Sequence, residues 1–159
     1  MTGSRRVGEG LFALRIALGT VFLLHGWSKL FGNEISFFRE MLGMAGWSMP
    51  EWLLVIVALV EVLAGLALLL GFLASLSSAV LAFEMIVAVF LFHLREGFFI
   101  VAVPNVPLAY GFEYHLVLLG GLVCLALSGP GRWALGGPAL RLRRSRGGEP
   151  KSVDAAAEV

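Results

Sequence analysis

Nine ionisable residues lie inside or at the rims of segments long enough to cross a membrane: Arg15, His25, Lys29, Glu61, Glu84, His93, Arg95, Glu113 and His115. A charge in hydrocarbon costs about 2.5 to 3.5 kcal/mol even on the lenient insertion scale, so such residues persist where they are paired, solvated or used in chemistry. The carboxyls and imidazoles can carry protons, and the cations can hold a polar group of a ligand that has entered the bundle. Arg15, Leu18, Phe22, His25 and Lys29 follow steps of three and four and therefore share one helix face. That stripe is expected to point inward, because its alternative leaves an arginine and a histidine unpaired in lipid. Glu61 and Glu84 fall near the middle of their segments at nearly the same depth, so each is expected to pair with Arg15 or His25 or else to hold a proton. Arg95, eleven residues after Glu84, falls on the same helix face, and His93, nine after it, on the opposite one. Glu113 and His115 are expected to join Lys29 and Arg95 in an outer cluster.

Composition explains why these residues stand out. Hydrophobic residues make up 58% of the 159 and charged residues 14%, with a mean hydropathy of +0.88. Soluble domains run nearer 45–50% apolar and about 25% charged, so the chain is an integral membrane protein. The expected fold is all-α: a four-helix bundle spanning the membrane, at about 20 residues per span. The spans are placed at about 11–31, 52–72, 74–94 and 113–129, preceded by a short N-terminus (1–9) and followed by a basic tail (136–159). The first apolar stretch is longer than a signal-peptide core and is followed by no clear small-x-small cleavage site, so it is read as a retained helix. Ser48 and Glu51 have the spacing of a capping box, with Pro50 between them, at the start of the second span. A turn near Gly71 makes the second and third spans a hairpin, and Gly129, Pro130 and Gly131 stop the fourth.

Four spans put both termini on one side. Arg5, Arg6, Arg132, Arg141, Arg143, Arg144, Arg146 and Lys151 collect there, against Lys29, Arg39 and Arg95 near the other, and eight against three is expected to put both termini in the cytoplasm. The tail from Pro138 is expected to be disordered, with its arginines touching anionic lipid rather than nucleic acid. Residues 32–49 suit a short interfacial helix. Residues 98–112, apolar but broken by Pro104, Asn105, Pro107 and Gly111, are expected to fold back as a lid over the outer end of the bundle. Gly120, Cys124 and Ser128 form one small-residue stripe for close helix packing, and Ala74, Ser78 and Ala82 another. Three histidines on three helices, with no Glu-x-x-His pair, give no metal-ligand spacing and do not support a heme. The single cysteine, Cys124, excludes an internal disulfide or dithiol relay.

The chain resembles the DoxX family of small four-span bacterial membrane proteins. The resemblance rests on Leu14-Arg15, on the run from Phe22 through His25, Gly26 and Lys29 to Gly32, on Glu61 through Gly65, on Gly111-Phe112-Glu113-Tyr114-His115, and on Gly129 through Trp133, and it covers about residues 10–135. Proteins of this family include membrane subunits of thiosulfate:quinone oxidoreductase and a mycobacterial complex linking superoxide dismutase to a sulfurtransferase. The resemblance therefore implies a membrane subunit of a redox or thiol and oxidative-stress system. In that setting Glu61 and His25 are the expected catalytic groups. Arg15, His25, Lys29, Glu61, Glu84, Glu113 and His115 are the expected ligand-binding set, with a quinone as the cofactor. Thiosulfate chemistry through a persulfide or a protein disulfide needs cysteines on the outer side, and Cys124 is expected in the inner half of the bundle, so any enzyme activity is that of a subunit of a quinone-linked oxidoreductase. Two other readings remain open: a small-solute or proton transporter with Glu61 and Glu84 as carriers, or a scaffold for soluble redox partners at the cytoplasmic face. A homo-oligomer fits either.

Overall fold

A computed structural model of the chain describes residues 3–32, 34–44, 46–101 and 109–135. The long apolar stretches form helices: α1 (Gly3–Phe31), α3 (Glu51–Leu70), α4 (Ala74–Ala88) and α5 (Glu113–Ser128), with a short α2 (Glu34–Met44) between α1 and α3. Two two-residue strands, β1 (Ile100–Val101) and β2 (Ala109–Tyr110), pair antiparallel ahead of α5. Three helices are long and apolar enough to cross a membrane: α1, α3, and α4 with its continuation to His93; α5 is apolar but shorter. The outer surface is apolar, with Leu63, Phe83, Phe90, Val117 and Leu127 exposed, as contact with lipid requires.

Packing follows the small residues. The most extensive contact joins α1 to α3, and the next joins α4 to α5. Between α1 and α3 the backbones nearly touch: a Cβ on Gly26 would lie 2.6 Å from the Ala58 carbonyl, and one on Gly65 would lie 2.6 Å from the Leu23 nitrogen. In a bilayer such close approach supplies the van der Waals contact that water would otherwise drive through the hydrophobic effect. On α4, Ala74, Ser78 and Ala82 are buried, as their spacing suggests. The Gly120–Cys124–Ser128 stripe is exposed among the described residues, so close packing by small residues is seen between α1 and α3 instead. Leu18, Phe22, Leu68, Leu81, Leu122 and Leu125 fill the centre.

The turn from α3 to α4 is closed by Gly71 in the left-handed region (φ 72°), whose N–H donates to the α3 carbonyls. A side chain there would also strike Ala134 and Arg15. The capping box is not formed. Pro50 is the N-cap with no side-chain bond, and Glu51 instead reaches Arg39 of α2 at 3.2 Å. An exposed pair of this kind anchors α2 weakly. The lid expected over residues 98–112 rests mainly on 102–108, outside the described residues, as the basic tail does; the two ends of that segment form the β1–β2 hairpin.

Gly26→Val should force the α1 and α3 backbones apart and cost about 1–3 kcal/mol or more, whereas Gly10→Ala, which meets no neighbour in the same helix, should be neutral or slightly stabilising. Thermal unfolding of both variants in detergent, followed by circular dichroism, checks the contrast.

Candidate functional site

The inward stripe of α1 does two separate jobs. Arg15 is buried, and its guanidinium turns toward the end of the bundle where α5 terminates. There it donates to the carbonyls of Pro130 (2.7 Å), Trp133 (3.0 Å) and Arg132 (3.4 Å). Its face lies over Phe12, which packs edge-on against Trp133. Arginine in a helix leans back toward the N-terminus, and here that lean carries the charge to carbonyls left free beyond a helix end. The expected contact of Arg15 with Glu61 is not made, and Arg15 belongs to the clamp that fastens residues 130–133 onto α1. The Arg132 N–H on the Gly8 carbonyl and the Leu135 N–H on the Leu70 carbonyl complete that clamp.

The other half of the stripe opens onto a cavity of about 350 Å³. Lys29 Nζ donates to Glu61 Oε1 at 2.6 Å, joining α1 to α3 with both side chains nearly buried, and the ammonium lies 4.7 Å from the centre of the Phe38 ring on α2. Glu61 thus takes Lys29, not Arg15 or His25, as its partner. Glu84 of α4 approaches closely enough for its carboxyl to interact directly with that of Glu61. His25 on α1 donates through Nδ1 to the Val21 carbonyl (2.9 Å). His25, Lys29, Glu61, Glu84, His93, Tyr114 and His115 all line the cavity, and Phe22, Ile35, Phe38, Leu42, Leu54 and Met85 supply apolar wall.

His93 departs from the helical phase expected for it. Residues Val89–His93 form a π-helical turn, closed by the Leu94 N–H on the Val89 carbonyl. At about 100° per residue, nine residues put His93 roughly opposite Glu84; one residue absorbed by the wider turn makes the step equivalent to about eight, or about 80°. The turn thereby brings the His93 ring to 3.9 Å from that of His115, and both onto the cavity. Arg95 lies past the end of the helix in an exposed turn and does not reach Glu84's neighbours. Glu113 is not in the cavity wall. It accepts the Ile100 N–H at 3.1 Å while its own N–H donates to the Phe98 carbonyl, so it ties the hairpin to the start of α5. The expected outer cluster is therefore split: Lys29 and His115 face the cavity, Glu113 secures the hairpin, and Arg95 is exposed.

Three buried polar atoms in the wall have no partner among the described residues: Glu61 Oε2, Glu84 Oε2 and His115 Nδ1. Buried polar groups are mostly hydrogen-bonded in native proteins, and these three fall in one wall, whereas Arg15 Nε and Ser78 Oγ, also without a partner among the described residues, lie outside it. Apolar walls with a few convergent polar groups, at this volume, are the usual form of a small-molecule pocket. Among the described residues no three His, Cys, Asp or Glu side chains are arranged to hold a metal ion.

The DoxX family model matches residues 10–94. The chain belongs to the DoxX family. The match takes in Arg15, His25, Lys29, Glu61, Glu84 and His93, while the α5 side of the cavity lies beyond it. Inner membrane protein YqjF of Escherichia coli (strain K12) is 30% identical over 127 residues, covering 79% of this chain and 88% of that protein. No solved structure matches.

Replacing Lys29 alone by Met leaves Glu61 buried without its cation and should cost about 3–5 kcal/mol. Replacing Lys29 and Glu61 together by Met should recover most of that loss. Unfolding of both variants and of the wild type in mixed detergent micelles provides the comparison.

Proposed function

We propose that this DoxX protein is the membrane subunit of a redox or thiol-stress system and binds a quinone in the cavity between α1, α2, α3, α4 and α5. The observation that carries the reading is the convergence of seven polar side chains, three of them with a buried unpartnered atom, on one apolar cavity. A quinone matches that wall: a flat ring with polar oxygens for the polar groups and a greasy substituent for the apolar ones. When bound, it supplies two-electron, two-proton redox chemistry, with electrons coming from a partner protein. The chain's own part is to hold the ring and to move protons. Glu84 and His115 can each give or take one at an atom without a partner among the described residues, and Lys29 holds Glu61 in place beside them.

In this reading α5 completes a four-span bundle. Its 16 residues are about 24 Å long at 1.5 Å per residue, short of a hydrocarbon core of about 30 Å, so the hairpin before it sits at membrane depth. The basic residues place both termini in the cytoplasm, and the inner-membrane relative supports the same membrane for this chain. Binding is favoured over passage of a solute because the packed layer of Leu18, Leu68, Leu81, Leu122 and Leu125 lies between the cavity and the Arg15 clamp. The scaffold reading depends on the tail, outside the described residues.

Mass spectrometry of small molecules that copurify in mild detergent tests the reading. Wild type should carry a quinone at near-stoichiometric amount, and His25→Ala and Glu61→Gln should lose most of it while still eluting as folded protein. Wild type without quinone, and without saturable uptake of added quinone, would reject the assignment; so would full retention in both variants.

A further inference from the structure

Two polar groups in the cavity wall have their hydrogen-bonding roles fixed by the protein. The Val21 carbonyl can only accept, so His25 Nδ1 carries the proton and, in the neutral ring, Nε2 presents a lone pair. Glu61 is ion-paired with Lys29 through Oε1 at 2.6 Å, which leaves its buried Oε2 as a second acceptor. Lys29, the one lysine or arginine in the wall among the described residues, is engaged by Glu61 and faces the Phe38 ring. The remaining groups are adaptable: Glu84, His93, Tyr114 and His115 can donate or accept according to protonation, tautomer or rotation.

A quinone ring offers only carbonyl acceptors, and its reduced form offers two hydroxyl donors. Set against Glu61 Oε2 and His25 Nε2, the carbonyls leave acceptors facing acceptors, whereas the hydroxyls satisfy both. We infer that the cavity selects the hydroxylated, reduced ring over the oxidised one, with Glu61 and His25 as the residues that set the preference. The inference rests on the cavity being a quinone pocket and adds to it which redox state the pocket is built to hold. Sites that hydrogen-bond a substrate hydroxyl discriminate strongly against analogues lacking it, because the protein groups are then left unpaired. A tenfold preference for the reduced ring raises the potential of the bound two-electron couple by about 30 mV, so the pocket makes the quinone a better electron acceptor.

The test is anaerobic titration of purified full-length protein with three ligands of the same ring and decyl tail: the benzoquinone, its hydroquinone, and the hydroquinone dimethyl ether. The hydroquinone should bind about tenfold or more tightly than the quinone, and the dimethyl ether no better than the quinone. His25→Ala, a change at a side chain that is not in the core, should narrow the ratio several-fold. Glu61→Gln, which substitutes an amide for the carboxylate, should narrow it further. Equal or tighter binding of the quinone overturns the inference while leaving the pocket assignment standing, as does a dimethyl ether that binds like the hydroquinone. Failure of all three ligands to bind overturns the pocket assignment itself, and the inference with it.

Discussion

The ion pair between Lys29 and Glu61 is the interaction on which the rest of the site depends. Two opposite charges removed from water are tolerated only when they meet at close range, and the 2.6 Å contact joins α1 to α3, whose backbones lie close together. Gly26 and Gly65 permit that approach, and any side chain at either position would prevent it. The pair also determines what is left over. Glu61 has two oxygens and Lys29 satisfies one, so an acceptor remains at the cavity. Glu84 is brought against the Glu61 carboxyl as well, so two acids meet at this depth beside one cation.

The same helix supplies a contrast at its other end. Arg15 is as deeply buried as Glu61, yet its two terminal nitrogens donate to three backbone carbonyls and it does not line the cavity. Its guanidinium geometry suits the diverging carbonyls past the end of α5, where an ammonium would reach fewer of them. One inward stripe thus carries a fastening at one end and an incomplete polar set at the other. The difference lies in what each end faces: backbone carbonyls beyond α5 at Arg15, and the cavity at Lys29 and Glu61.

Much of this arrangement was legible in the sequence. The apolar stretches marked the helices, and steps of three and four marked the face of α1 that turns inward. Mid-span placement brought Glu61 and Glu84 to one depth. What escaped was set by tertiary geometry. The π-helical turn at Val89–His93 has no residue signature of its own, and an α-helical phase therefore put His93 on the wrong side and kept Arg95 beside Glu84. Pairing of Glu61 with Lys29 depends on the rotation of α3 against α1, which one helix's periodicity does not fix. Ser48 and Glu51 have the right spacing for a cap, but Pro50 occupies the N-cap position and Glu51 finds Arg39 instead. The exposed stripe at Gly120 and Cys124 shows the same limit: small residues permit close packing, and only the neighbouring helix decides whether it occurs.

Membership of the DoxX family and the likeness to an inner membrane protein place the chain in a membrane, and the cavity gives that membrane protein a site. The central claim is that a ring-shaped ligand from the bilayer occupies the space beside the Lys29–Glu61 pair. Photolabelling with an azido-quinone, followed by peptide mapping, addresses it most directly. Labels should fall on the cavity-lining parts of α2, the π-helical turn and the first turns of α5, near Phe38, Phe92 and Tyr114, and excess unlabelled quinone should remove them. Labels confined to lipid-facing residues such as Leu63, Phe83 and Leu127, unaffected by competitor, would contradict the claim.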